Sequence, residues 1–135
     1  MHIDVQLIHQ PIPEKVFPPD HLSGQAGAWV EFRGIVRSQE NDQPIAALEY
    51  EAYETMALKE MRRILATLSE QQPALAAVVI HRLGIIRVGE AAIYVGFAAQ
   101  HRQPAFELLN QFMNCLKSDV PIWKKRTLTV AQLSP

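Results

Sequence analysis

The residues best suited to chemistry gather near the C-terminus. SDVPIWKKRTL, residues 118–128, places Lys124, Lys125 and Arg126 directly after Pro121, Ile122 and Trp123, and Lys117 stands just before the stretch. Cations beside bulky apolar side chains suit a pocket for a phosphate or a carboxylate, with Trp123 as a wall. They equally suit a solvated strand edge that resists pairing with other chains, with Lys117 complementing the C-terminal end of a helix. In a regular strand Lys124 and Arg126 share one face and Trp123 and Lys125 the other. Lys124 and Lys125 therefore serve one pocket only if the strand is irregular.

A second candidate is His101-Arg102, between the end of a strand pattern and the start of a helix pattern. Free N–H groups at a helix start attract anions, Arg holds a phosphate bidentately and His moves protons. The bland alternative is surface charge at a turn, and the second pair, His81-Arg82, shows how little the dipeptide specifies. Arg37 closes a long strand pattern and is placed either to clamp a ligand or simply to be exposed. Cys115, the single cysteine, lies inside a helix pattern and is expected to be a buried structural thiol. The five histidines have no metal-binding spacing, and no Gly-rich phosphate loop or GxSxG elbow is present, so no metal and no cofactor is expected.

The elements that would position these residues follow from periodicity. Residues 2–8 alternate as a strand. Residues 11–27 hold four of the nine prolines and two of the six glycines and read as loop, with one helical turn expected around Glu14–Phe17. Residues 28–37 form a strand with a bulge at Gly34. SQENDQP, 38–44, is a polar loop and 45–53 a returning strand, so 28–53 reads as a long hairpin. Residues 55–71 change period: Ala57, Met61, Ile64, Leu65 and Leu68 fall on one helical face, and Pro73 ends the helix. Strands are expected at 75–84 and 90–99, with a turn region bracketed by Gly84 and Gly89. A second helix spans about 104–117, with Phe106, Leu109, Met113 and Leu116 as its apolar stripe. A last strand covers 121–130. This order points to a single α+β domain, 1–135, with a mostly antiparallel sheet and two main helices.

The chain has 135 residues, enough for one real core, with 48% hydrophobic and 20% charged residues. A net charge of −1 excludes the broad basic excess of a general nucleic-acid or membrane-surface binder, so an anion site must be local. The lone cysteine fits a reducing cytoplasm. MHIDVQLIHQ lacks a basic segment followed by an apolar run, and no window is apolar enough for a membrane span, so neither a signal peptide nor an anchor is expected.

Taken together the motifs are more specific than any one of them. GIVR at 34–37, IHRLG at 80–84, AQHR at 99–102 before a helix, and LKSDVPIWKK at 116–125 occur in an order and spacing that resembles the large, catalytic subunit of molybdopterin synthase, from about residue 26 to 126. The resemblance implies an α/β hammerhead fold and a sulfurtransferase. Such an enzyme converts cyclic pyranopterin monophosphate (precursor Z) to molybdopterin by installing a dithiolene. It implies a partner, a small ubiquitin-like subunit whose C-terminal glycine carries the sulfur as a thiocarboxylate, and a homodimer of large subunits within a heterotetramer. Lys117 and Lys124 match the family's active-site lysines. Arg37, His101 and Arg102 match substrate-binding positions, and Ile35, Val36, Lys125 and Arg126 match flanking pocket positions. The family's pocket lies near its dimer interface, so these groups can come from different subunits.

The chain departs from that pattern in places. Arg126 stands where the family often has an acid, Gln103 where a hydroxyl residue often caps the helix, and residues 11–23 replace what is commonly a helical stretch. Two other readings stay open: a non-catalytic module that docks a ubiquitin-like tail, and a phospho-ligand hydrolase or lyase using His101, for which no paired carboxylate or nucleophile is found.

Overall fold

The computed structural model describes residues 1–133. Its frame is a four-stranded sheet of β1 (His2–Ile8), β2 (Ala28–Ile35), β6 (Ala76–Arg82) and β8 (Ala91–Ala99), in the order β1-β6-β8-β2. β1 runs parallel to β6, and the other pairings are antiparallel. Helices α1 (Glu54–Gln71) and α2 (Arg102–Asp119) cover one face, over Val5, Ala77, Val79, Ile93, Val95 and Phe97. The opposite face is covered by the proline-rich segment, whose Ile12 and Leu22 pack on Val78, Ile80, Tyr94, Ala76 and Ala98. A strand buried on both faces needs no polar alternate positions, which is why AAIYVGFAA in β8 reads as continuously apolar.

A smaller antiparallel sheet, in the order β7-β5-β9, joins β5 (Ala47–Ala52), β7 (Gly84–Arg87) and β9 (Ile122–Leu128). Its own core is Val36, Leu48 and Ile86 with Ala92. A two-stranded ribbon, β3 (Gln39–Glu40) and β4 (Gln43–Pro44), stands beside it, and a single turn, α3 (Val130–Leu133), follows β9. No helix among the described residues is long and apolar enough to cross a membrane.

Several expectations change on this frame. The α+β class, the two main helices and the mostly antiparallel pairing stand. The long hairpin 28–53 does not form: β2 pairs with β8, and β5 pairs with β7 and β9. Residues 38–44 instead make their own hairpin, because Asn41 and Asp42 adopt φ of 51° and 62°, the left-handed pair that a tight two-residue turn requires. The segment 75–84 ends its strand at Arg82. Gly84, at φ 87°, breaks the line so that 84–87 enters the second sheet as β7 rather than forming a turn. No helical turn forms at Glu14–Phe17. Arg33 donates through Nη2 to the carbonyls of Pro13 and Glu14, at 2.7 and 2.8 Å, and ties that backbone to the sheet; a 3₁₀ turn forms later, at Asp20–Leu22.

The α1 face is buried as its spacing predicts, through Ala57, Met61, Ile64, Leu65 and Leu68. The α2 stripe is rotated. Ala105, Leu108, Phe112 and Leu116 are the buried set, Leu109 and Met113 are partly buried, and Phe106 is 58% exposed. Cys115 is partly rather than fully buried, packed at the margin of this core. Phe112 is fully buried and meets Phe97 edge-on at 6.3 Å, so it joins α2 to β8. Phe112→Ala is therefore expected to cost about 3–5 kcal/mol in urea unfolding, and Phe106→Ala less than about 0.5 kcal/mol. Equal losses from the two would contradict this helix phase.

Candidate functional site

A cavity of about 140 Å³ opens where the two sheets meet. Its first wall is the end of β2. There the register slips between Gly34 and Ile35, a bulge that ends the regular pairing with β8 and turns Ile35, Val36 and Arg37 onto the cavity. Gly34 is needed because a Cβ there would lie 2.8 Å from the Ile93 side chain. The remaining walls come from Tyr50 of β5, His81 of β6, Lys124 of β9 and Glu40 of the β3–β4 ribbon.

The β9 wall rests on a second bulge. Glu49 lies opposite Arg126 and Tyr50 opposite Lys124, which leaves Lys125 as the extra residue. Glu49 and Tyr50 point to opposite faces, and directly paired residues share a face. Lys124 and Arg126 are thus on opposite faces, contrary to regular alternation. Lys124 joins Tyr50 at the cavity, and its Nζ donates to Glu40 Oε2 at 3.0 Å. Arg126 donates from Nε to Glu49 Oε1 at 2.6 Å, away from the cavity. Both pairs are partly exposed, so each contributes at most about 1 kcal/mol and serves mainly to aim its side chain. Trp123 is not a wall of this cavity; it meets Tyr53 edge-on at 4.9 Å. Lys125 is exposed, and neither it nor Arg37 has an ion pair among the described residues.

The other expected residues lie elsewhere. Lys117 closes an apolar groove of about 440 Å³ formed by Phe32, Phe106, Leu109 and Met113, with Asn110 and Asn114. His101 lines a separate hollow with Pro73, Leu75 and Pro104, and Arg102 is exposed at the first position of α2. The topology explains the split. Ile93 touches the cavity while Ala99 leads into His101, and six residues of strand span roughly 20 Å. α2 then runs back along the sheet, and its fifteen residues from Arg102 to Lys117 cover about 22 Å. Lys117 therefore returns to the cavity's end of the sheet, while His101 and Arg102 stay at the far end.

Sequence reasoning missed Glu40, Tyr50 and His81. His81 is the one buried charged or polar residue among the described residues, 5% exposed. Its Nδ1 is 2.8 Å from the Arg82 carbonyl and its ring meets Tyr50 edge-on at 5.1 Å. Burial lowers its pKa to about 4, against a smaller opposing effect of the Arg82 carbonyl, so the imidazole is neutral at pH 7. Burial likewise raises the Tyr50 hydroxyl, opposed by Lys124 and reinforced by Glu40, which keeps it a neutral donor. The available signal was a polar residue ending an apolar strand, AAVVIHR.

The depressed His81 pKa has a consequence for stability. Below pH 6.5 the unfolded chain takes up a proton here while the native chain does not until about pH 4. Stability is thus intact above the unfolded value and is lost as pH falls through this window, by roughly 3 kcal/mol in all. Urea unfolding of the wild type between pH 7 and 4 should show this decline, and His81→Gln should flatten it. Parallel profiles would rule the effect out.

The family model described as MoaE protein matches residues 8–119. Across 124 residues the chain is 42% identical to a molybdopterin synthase catalytic subunit of Drosophila virilis, covering 91% of this chain and 33% of that protein, so it spans about a third of that relative's length. A solved structure of molybdopterin cofactor biosynthesis protein E from Burkholderia multivorans superposes with a TM-score of 0.77 at 26% identity, over 94% of this chain and 84% of the other. A protein–protein complex of subunits 1 and 2 of molybdopterin-converting factor from Helicobacter pylori shares the fold, with a TM-score of 0.71 at 20% identity over 96% and 92% of the two chains. With the family model spanning most of the sequence and the fold reproduced across solved relatives, the chain belongs to the MoaE protein family.

Proposed function

We propose that this chain is the catalytic subunit of a molybdopterin synthase, a single functional domain over residues 1–135. It would convert cyclic pyranopterin monophosphate to molybdopterin with sulfur from the thiocarboxylated C-terminal glycine of a small ubiquitin-like partner. The observation that carries this reading is the cavity in which Arg37 and Lys124 converge on a wall of backbone and aromatic side chain, in a chain of this family. Two cations beside apolar surface accept a phosphorylated heterocycle and stabilise negative charge that develops as sulfur is transferred. Each transfer forms a carbon–sulfur bond on the substrate and breaks a carbon–oxygen bond there, the cyclic phosphate opening in one of them. With water making up the oxygen balance, the partner leaves each time as an ordinary carboxylate, and two transfers build the dithiolene.

The groove that ends at Lys117 suits the partner's tail. Its apolar floor takes an extended peptide, its asparagines offer hydrogen bonds to backbone, and the lysine meets the terminal anion. The complex of two subunits in the Helicobacter pylori protein supports a partner of this kind. His101 and Arg102, at the far end of β8, would reach the substrate from a second copy of the chain. That supports a homodimer within a heterotetramer. Ile35 and Val36 shape the cavity, and Lys125 and Arg126 would act at its margin. The reaction needs no resident metal or cofactor and belongs in the cytoplasm, where a free thiol such as Cys115 persists.

The test is turnover. The chain is mixed with its thiocarboxylated partner and cyclic pyranopterin monophosphate, and molybdopterin is detected as its oxidised fluorescent product. Lys117→Ala and Lys124→Ala are each expected to lower kcat by roughly 10²–10³-fold. A wild-type complex that forms without making product would leave a tail-docking module as the function.

A further inference from the structure

A buried imidazole on the wall of a binding cavity calls for a reason. Val79 and Ala77, which share the His81 face of β6, are fully buried and apolar, and an apolar residue would continue that pattern. The His81 ring is clamped from two sides. Nδ1 faces the Arg82 carbonyl at 2.8 Å, and a carbonyl only accepts, so Nδ1 carries the proton. The ring edge packs against Tyr50 at an interplanar angle of 64°. The polar atom left over is Nε2, a bare acceptor. No described residue donates to it, although Arg37 and Lys124 line the same cavity. Within a residue that is only 5% exposed, Nε2 opens onto the cavity, so a ligand that fills the cavity displaces water from it and must supply a donor or leave it unpaired.

We propose that His81 is a specificity-determining residue that accepts a hydrogen bond at Nε2 from a ring N–H or amino group of a phosphorylated heterocycle. Arg37 and Lys124 hold the anionic end of the same ligand. This rests on the pterin reading above, because a reduced pterin phosphate carries both a phosphate and several N–H donors on one rigid frame. The division of labour follows from chemistry. The cations recognise charge and accept any phosphate of suitable size. A neutral acceptor fixed by its backbone contact recognises the heterocycle and rejects ligands without a donor there, since those would leave Nε2 unpaired.

The proposal is tested by calorimetric titration of the full chain with cyclic pyranopterin monophosphate and, separately, with inorganic phosphate. His81→Phe keeps the ring and removes the acceptor. His81→Gln places an amide near the Nε2 position, whereas His81→Asn reaches only the Nδ1 position. The Phe and Asn variants are expected to bind the pterin phosphate about 10- to 100-fold more weakly with phosphate affinity unchanged, and Gln to recover part of the loss. Thermal unfolding checks each fold, and if the Phe variant does not fold the Gln-to-Asn contrast carries the test. Wild-type pterin affinity in the Phe and Asn variants overturns the role of His81 and leaves the synthase reading standing. Equal losses for both ligands also overturn it, since His81 would then be a scaffold for the cations. A wild-type chain that binds phosphate but not the pterin phosphate removes the synthase reading itself, and this role with it.

Discussion

The burial of β8 on both faces is the constraint from which the other parts take their places. Every residue from Ala92 to Ala99 is buried, and the strand pairs with β6 on one side and β2 on the other. One face receives the helices and the other the proline-rich segment. A central strand of this kind is rigid because moving it would expose apolar surface at roughly 25 cal/mol per Å² on two faces at once. Its residues Ala92 and Ile93 border the cavity, and its last, Ala99, is followed by Gln100 and then His101. The distance between the two groups of expected ligand residues is therefore set by the length of a strand that cannot bend.

Two bulges convert this rigid frame into a site. Regular strands would send successive side chains to alternate faces, and no two neighbours could serve one pocket. The slip at Gly34/Ile35 lets consecutive residues of the β2 end, Ile35, Val36 and Arg37, all border the cavity. The slip at Lys125 changes the phase of β9, so that Lys124 faces inward while Arg126 turns to Glu49. The departure from the family pattern at Arg126 is thereby accommodated locally, by a partner on the adjacent strand. The acid that meets Lys124 is Glu40, on a separate ribbon held by the left-handed turn at Asn41 and Asp42.

Charge is handled the same way. The chain is nearly neutral overall, yet Arg37, Lys117 and Lys124 stand at one end of the sheet beside apolar walls. Local placement concentrates positive charge at that end without a global field. The neutral His81 and Tyr50 add hydrogen-bonding capacity without adding charge.

Much of this was legible in the sequence alone. The 3.6-residue period of α1, the alternation of β1, and the Gly34 bulge are local properties, determined by neighbours within a few positions. So were the basic cluster around Trp123 and the spacing of the four motifs, which pointed to the family. What needed the tertiary structure was everything set by partners distant in sequence. Asn-Asp chemistry closed a hairpin at 38–44, but which strand β2 would join depended on burying both faces of β8. The α2 stripe was misphased by one residue because Phe106 and Ala105 are both apolar, and only the packing against Phe97 decides which turns inward. Lys125 became the bulge residue through pairing with β5, a strand some seventy-five residues earlier. His81 looked like a chance dipeptide until the fold brought Tyr50, Arg37 and Lys124 around it. Periodicity reports one face of one element; a pocket is made where faces of several meet, and no local pattern records that meeting.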